Sequence, residues 1–203
     1  MAGLRETKKA ATRDAIARSA ASLALQKGIT EVTVAEITEK ANVSARTFHN
    51  YFASREDAIS YFLESEYTRI RNEFEEKITD DLSLFPTIVD YVDRYYDEDN
   101  PDSIDTFYGF QRLAQELDTF HPGTTESMLF RLFSGQIEGL ENVHKVLTPF
   151  QEFAIINLVV ETGMIITHWR LNHDDSQEPV ELFKSLVRGM HEGLNVLHST
   201  LEN

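Results

Sequence analysis

The fold of this chain is decided by residues 33–55, which read TVAEITEKANVSARTFHNYFASR. The apolar residues Val34, Ile37 and Ala41 have the spacing of one face of a short helix. Asn42 begins a break in that pattern, and a second short amphipathic segment follows it. Two short helices joined by a tight turn have the outline of a helix-turn-helix.

The second helix has an apolar inner side and a polar outer side. Phe48 and Phe52 face inward at helical spacing, and Ser44 stands where its hydroxyl can cap the first N–H groups. The outward positions are Ala45, Arg46, Thr47, His49 and Asn50. A helix presented in this way fits the major groove of DNA.

The run VSARTFHNYFASREDAI, residues 43–59, resembles the V-S-x-G-T-L-Y-x-x-F-x-x-K-E-x-L signature of the TetR family of bacterial transcriptional regulators. The similarity extends back through Gly28 to cover about the first 60 residues. The chain departs from the signature at three positions, where Arg46 replaces a small residue, His49 a tyrosine and Arg55 a lysine. The resemblance implies an all-α regulator with an amino-terminal DNA-binding domain.

Two kinds of DNA contact are expected. The resemblance implies that Thr33, Thr47, His49 and Arg55 contact the DNA backbone and orient the protein. Arg46 lies near the exposed start of the recognition helix, where a guanidinium can donate two hydrogen bonds to guanine, although a phosphate contact is the alternative. The full set of expected DNA-binding residues is Thr33, Ser44, Ala45, Arg46, Thr47, His49, Asn50 and Arg55.

The charge distribution separates a basic amino-terminal part from an acidic remainder of the chain. The chain has 203 residues, 41% of them apolar, and a net charge of −15. Residues 1–55 carry nine Lys and Arg against five Asp and Glu, which leaves ten against 29 for residues 56–203. The net charges of +4 and −19 favour DNA binding by the amino-terminal part alone. The absence of cysteine excludes disulfides and thiolate metal sites, and no signal peptide or membrane-spanning run is evident, so we expect a cytoplasmic protein.

The pattern of the whole chain predicts an all-α protein with a head at residues 1–53 and a ligand-binding and dimerisation body at residues 54–203. A first helix should begin near Thr12, after a polar basic arm, and end at Gly28. Lys8, Lys9 and Arg13 either touch phosphate or are solvated. A long fourth helix should start at Ser54 and end near residue 79. Further helices are expected over residues 83–95, 103–118, 123–147 and 153–169 and from Pro179 to the carboxyl end.

The last helix carries apolar residues at alternating intervals of four and three. This spacing is typical of a helix that packs along a partner helix, although the residues could also pack within the subunit. The resemblance implies dimerisation through the last two long helices. The expected dimerisation residues are Ile156, Val160, Gly163, Phe183, Val187, Met190, Leu194 and Leu197.

The body is rich in aromatic residues on the apolar sides of separate helices, with polar residues nearby. These groups form either an ordinary core or a small-molecule site. The resemblance implies an effector pocket beside the fourth helix, and the lining suggests a hydrophobic or aromatic effector. The expected ligand-binding residues are Tyr67, Phe74, Phe85, Phe107, Phe110, Gln111, Phe133, Gln136 and Asn157.

We therefore expect a homodimeric repressor that leaves a palindromic operator when a small effector binds. Two other functions stay open: a small helical enzyme that uses His168, His173, Asp174 and Asp175, and a helical module whose acidic surface binds a protein. The two histidines are five residues apart and fall on different helical faces, so a metal site there is disfavoured. No cofactor is expected.

Overall fold

The computed structural model describes residues 2–77, 83–95, 103–123 and 178–201. Within these ranges all regular structure is helical, which confirms the all-α class. The elements are α1 (Ala2–Lys27), a 3₁₀ turn (Ile29–Glu31), α2 (Val34–Lys40), α3 (Ala45–His49), α4 (Arg55–Lys77), α5 (Leu84–Tyr95), α6 (Phe107–Phe120) and α7 (Glu178–Leu201). The helices expected over residues 123–147 and 153–169 lie outside the described residues.

The first helix is longer than the sequence pattern predicts. It begins at Ala2, so the expectation of a start near Thr12 was wrong and the basic arm is helical. Its first turns are rich in Ala, Lys, Arg and Glu, which favour helix without needing an apolar stripe. The Thr7 and Thr12 hydroxyls also donate to carbonyls one turn earlier. The helix ends where predicted, because Gly28 has a φ of +90° that few other residues adopt.

The first of two compact units consists of Met1–Tyr67 and Asp97–Met128. Its described elements are α1, α2, α3, the first part of α4, and α6. The core contains the fully buried Ile16, Ile37, Phe48, Leu113 and Leu117, the last two contributed by α6. The unit therefore joins the helix-turn-helix to part of the predicted body, and the functional boundary at residue 53 stays a prediction.

The second unit consists of Thr68–Tyr96 and Leu129–Asn203, within which the end of α4, α5 and α7 are described. Helix α5 packs against α7 and buries Phe85, Phe183 and Val187. On the surface, the Lys77 ammonium lies 2.8 Å from an Asp90 carboxylate oxygen.

Candidate nucleic-acid interface

Helix α2 begins with a reciprocal capping box. The Thr33 backbone N–H donates to Glu36 Oε2 at 2.9 Å, while the Glu36 N–H donates to Thr33 Oγ1 at 3.3 Å. Lys27 adds an ion pair to Glu36 Oε1 at 2.6 Å. The hydrogen bond from Lys27, followed by those from Thr33, lowers the pKa of Glu36 from 4.5 to about 2. Thr33 therefore uses its hydroxyl to start α2, while its side chain stays exposed on the surface.

The turn between α2 and α3 depends on one residue with left-handed backbone geometry. Asn42 has a φ of +53°, which asparagine tolerates better than most residues. The reversal lets the Val43 N–H donate to the Thr38 carbonyl at 2.9 Å and so close the end of α2. This fixes the direction in which α3 leaves, at the place where the sequence predicts a break.

Helix α3 displays the predicted polar face. Ser44 caps it by accepting the Thr47 N–H at 3.1 Å, and the Phe48 ring is fully buried beneath it. The exposed residues are Ser44, Ala45, Arg46, His49 and Asn50, and Thr47 is half-buried. The structure thus brings six expected DNA-binding residues together on one short segment; their contact with DNA stays a prediction.

An aromatic cluster supports this segment from within the head. The centroids of the Phe48 and Phe52 rings are 6.0 Å apart, and those of Phe52 and Tyr61 are 5.6 Å apart. The Arg13 guanidinium lies 3.9 Å from the Tyr61 ring centroid, and the Tyr61 hydroxyl donates to Asp14 at 2.9 Å. Burial and this hydrogen bond raise the pKa of Tyr61. Arg13 therefore contacts aromatic rings, whereas Lys8 and Lys9 are exposed along α1.

Arg55 has internal partners that the sequence does not reveal. Its Nη1 donates to the Thr30 and Val32 carbonyl oxygens, each at 2.7 Å, and its Nε donates to Glu56 at 2.7 Å. Burial opposes the effect, but the Arg55 guanidinium lowers the pKa of Glu56. Arg55 therefore ties the 3₁₀ turn to the start of α4, and the forked guanidinium is suited to this because it has several N–H donors.

The expected effector residues are only partly within the described structure. In the first unit, the Tyr67 and Phe110 rings meet edge to face with centroids 4.7 Å apart. Gln111 is 7% exposed, and its Oε1 has no hydrogen-bond partner among the described residues. Phe85 is buried in the second unit, Phe74 lies in α4 and Phe107 in α6. Phe133, Gln136 and Asn157 lie outside the described residues.

The expected dimerisation residues of α7 differ in burial where the structure describes their side chains. Phe183 and Val187 are buried within this subunit, and Met190 is half-buried. Leu194 and Leu197 lie further along α7. Ile156, Val160 and Gly163 lie outside the described residues. For Phe183 and Val187 the structure favours the alternative of packing within the subunit.

The residues considered for enzyme chemistry, His168, His173, Asp174 and Asp175, lie outside the described residues. In the part of the chain that the structure describes, no three acidic or histidine side chains are placed to hold a metal ion. Among the same residues, no helix has both the length and the apolar character needed to cross a membrane.

Known proteins resemble the amino-terminal part by sequence. Residues 16–59 match the model of the family described as bacterial regulatory proteins, tetR family. The HTH-type transcriptional regulator TcmR of Streptomyces glaucescens is 44% identical over 55 residues, 27% of this chain. The match spans about a quarter, 24%, of that relative's length.

Solved structures extend the similarity of fold to most of the chain. The fatty acid degradation regulator FadR from Bacillus halodurans has a TM-score of 0.60 at 15% identity, with 90% of this chain and 94% of that chain covered. RolR in complex with resorcinol has a TM-score of 0.53 at 20% identity, with 91% and 89% covered. At these identities the likeness shows a shared all-helical fold.

Proposed function

Since this chain is a member of the tetR family of bacterial regulatory proteins through its amino-terminal domain, we propose that it is a DNA-binding transcriptional regulator. The observation that carries the proposal is the Ser44-capped helix α3, whose polar residues face outward while Phe48 anchors it from below. A short helix held this firmly and exposed on one side is suited to the major groove. It would act in the cytoplasm, where operator DNA is found.

The charge distribution also favours an approach to DNA by the amino-terminal part of the chain. Residues 1–55 have a net charge of +4 within a chain of −15, so phosphates would attract the head and repel the rest. Arg46 is exposed on α3 and is our candidate for reading a guanine. Thr33, Thr47 and His49 are our candidates for backbone contacts. Arg55 has partners inside the head, so its proposed contribution to DNA binding is mainly to hold the turn that precedes α2.

We further propose that a small hydrophobic or aromatic effector binds beside Tyr67, Phe110 and Gln111. Gln111 follows Phe110 on α6, and together an aromatic pair and a buried amide oxygen can offer an apolar surface and one specific hydrogen bond. RolR, which shares the fold, has been solved with resorcinol, an aromatic compound with hydroxyl donors. Such donors would suit the Gln111 Oε1 acceptor.

The effector would act by binding the DNA-incompetent conformation more tightly. Moving a population from 1:99 to 99:1 requires about 5.5 kcal/mol of differential affinity. By linkage, operator DNA must weaken effector binding by the same factor. A repressor with this coupling would be released from its operator when the effector binds.

The acting form we propose is a homodimer that uses the outer side of α7. Leu182, Leu186 and Val196 are 58%, 46% and 63% exposed there. Gly189 and Gly193 lie between them, with open space where a Cβ would stand. Large residues therefore lie towards both ends of this stripe, and the glycines lie between them. This arrangement allows two copies of α7 to cross closely about a two-fold axis.

Charge permits this contact between two acidic chains. Between residues 181 and 192, α7 carries Glu181 and Glu192 against Lys184 and Arg188, so this stretch has no formal net charge although the chain carries −15, and Lys184 itself pairs with Asp93 of α5. A second copy can therefore approach without strong like-charge repulsion. The dimer would place two copies of α3 on a near-palindromic operator.

A gel-shift titration against the DNA that flanks the protein's own gene tests the proposed function. We expect a shifted complex that resists excess unrelated DNA and weakens as salt rises. The Arg46→Ala, His49→Ala double variant, which changes only exposed side chains of α3, serves as the comparison. If wild type and the double variant bind every duplex equally, α3 does not read DNA.

A further inference from the structure

Helix α6 is bonded to the chain at the point where α1 ends. Glu116 Oε1 accepts the Ile29 backbone N–H at 2.6 Å, and the Arg112 guanidinium donates to the Leu25 carbonyl oxygen. Had α1 continued for another turn, Ile29 N–H and Leu25 C=O would have been bonded to each other. Arg112 and Glu116 therefore supply partners to both halves of the helical hydrogen bond that is broken at this point.

The chain leaves room for this arrangement at Gly28. Its φ of +90° turns the backbone out of α1, and a Cβ at this position would lie 3.3 Å from Glu116 Oε1. Gly28 thus meets two requirements, the left-handed conformation and the close approach of a carboxylate. Arg112 and Glu116 are four residues apart on α6 and therefore share one side of that helix.

The segment held by these bonds leads directly into the helix-turn-helix. Ile29 and Val32 are buried, and the following residue, Thr33, caps α2. Arg55 binds the same segment from α4 through the Thr30 and Val32 carbonyls. The connection between α1 and α2 is therefore fixed by side chains from two other helices, one of them about 87 residues away in sequence.

We propose that Arg112 and Glu116 of α6 are positioning residues for DNA recognition. They hold the end of α1 and the start of the 3₁₀ turn, and through Thr33 they set the position of α2 and α3. This inference rests on the proposed function, since it assigns α6 to the machinery that reads DNA. It predicts that operator affinity depends on two residues that lie more than 50 positions beyond the helix-turn-helix and do not touch DNA.

The test uses duplexes that the wild-type protein selects from a random library. Glu116→Ala removes the acceptor of the Ile29 N–H, whereas Glu116→Gln keeps a carbonyl oxygen in its place. Asp105→Asn is the matched control, because Asp105 pairs with Arg18 of α1 at an exposed site just before α6. Arg112→Met removes the donor to Leu25 while it keeps the length of the side chain.

We expect Glu116→Ala and Arg112→Met each to weaken binding about tenfold, because a hydrogen bond with a charged partner is lost. Glu116→Gln and Asp105→Asn should stay within about twofold of wild type. Amide hydrogen exchange at Ile29, measured by NMR well below the melting temperature, should accelerate in Glu116→Ala and not in Asp105→Asn. Exchange at the Ile29 amide distinguishes a local change at the end of α1 from unfolding of the whole domain.

Three results would overturn the proposal. Wild-type affinity in Glu116→Ala would do so, and so would equal losses in Glu116→Ala and Glu116→Gln. If the wild-type protein selects no duplex at all, the proposed function fails, and the positioning role fails with it. Faster Ile29 exchange in Glu116→Ala would then still show that the bond orders the end of α1.

Discussion

The hydroxyl of Ser44 accepts the backbone N–H of Thr47 at 3.1 Å, and this bond begins the helix that carries the expected DNA contacts. Helix α3 has only five residues, so a single cap satisfies a large share of its exposed amide groups. We therefore expect Ser44→Ala to lower the free energy of unfolding by about 0.5–2 kcal/mol. Urea denaturation of both proteins measures this loss in the free energy of unfolding. Ser44→Gly should lower the free energy of unfolding by only a few tenths of a kcal/mol, and an unchanged free energy of unfolding in Ser44→Ala would show that the cap is unimportant.

The capping box of α2 predicts a dependence of stability on acid. The pKa of Glu36 is lowered from 4.5 to about 2, so its carboxylate contributes fully above pH 4.5. That contribution is lost as the pH falls from 4.5 to 2, because the unfolded state binds the proton first. The melting temperature of Glu36→Gln should accordingly fall less than that of wild type across this interval.

The control for this pH series is Glu39→Gln, an exposed carboxylate of α2 whose side chain takes no part in the capping box. The melting temperature of Glu39→Gln should change with pH as that of wild type does between pH 4.5 and 2. Parallel curves for wild type and Glu36→Gln would contradict the assignment of the acid sensitivity to Glu36.

Local signals in the sequence were sufficient to predict much of the head. Gly28 and Asn42 are recognisable as breaks from the sequence because their conformational preferences do not depend on distant residues. Thr33 and Ser44 are recognisable as caps for the same reason, and the inward position of Phe48 follows from helical spacing. The starts of α2 and α3 could be placed in this way because each cap acts within one turn, whereas Phe52, which the spacing assigns to the second helix, lies beyond the end of that helix at His49.

Contacts between distant segments could not be predicted. The bonds from Arg55 to the Thr30 and Val32 carbonyls, and from Glu116 to Ile29, depend on how helices pack. A sequence shows that Arg55 is basic and starts a helix, and this suggests a phosphate contact. It does not show that two backbone carbonyls lie within reach.

Helix α7 illustrates a second limit of prediction from the sequence. Two neighbouring stripes have the same four-three spacing, one that includes Phe183 and Val187 and one that includes Leu182 and Leu186. The structure turns the first stripe towards α5 and leaves the second exposed. Periodicity alone could not have distinguished them, because both are apolar and adjacent on the helix.

Gln111 should be a destabilising residue in the ligand-free protein. Its Oε1 is buried without a hydrogen-bond partner among the described residues, and such an atom costs about 1–3 kcal/mol. We expect Gln111→Leu to raise the melting temperature of the ligand-free protein and to abolish any shift on addition of resorcinol. Differential scanning calorimetry measures both effects. Gln115→Leu, at a half-buried site on the same helix, is the control, and a lower melting temperature in Gln111→Leu alone would refute the argument.

The proposed dimer depends on the exposed stripe of α7. Leu186→Glu should shift the protein from dimer to monomer in sedimentation equilibrium while its circular dichroism stays unchanged, because the Leu186 side chain is 46% exposed within the subunit. Gln26→Glu adds the same charge on the exposed side of α1 and should leave the dimer intact. A dimer that survives Leu186→Glu would mean that the interface lies elsewhere.

The central claim, that α3 reads DNA sequence, is tested most directly by selecting duplexes from a random library with wild type and with Arg46→Ala. Arg46 is exposed on α3, and a bidentate contact to guanine discriminates by about 1–3 kcal/mol. We predict that wild type enriches a near-palindrome whose half-sites lie about one DNA turn apart, roughly 34–36 Å. Arg46→Ala should lose a guanine preference at one position of each half-site. An unchanged preference profile in Arg46→Ala, or no enrichment by wild type, would contradict the account.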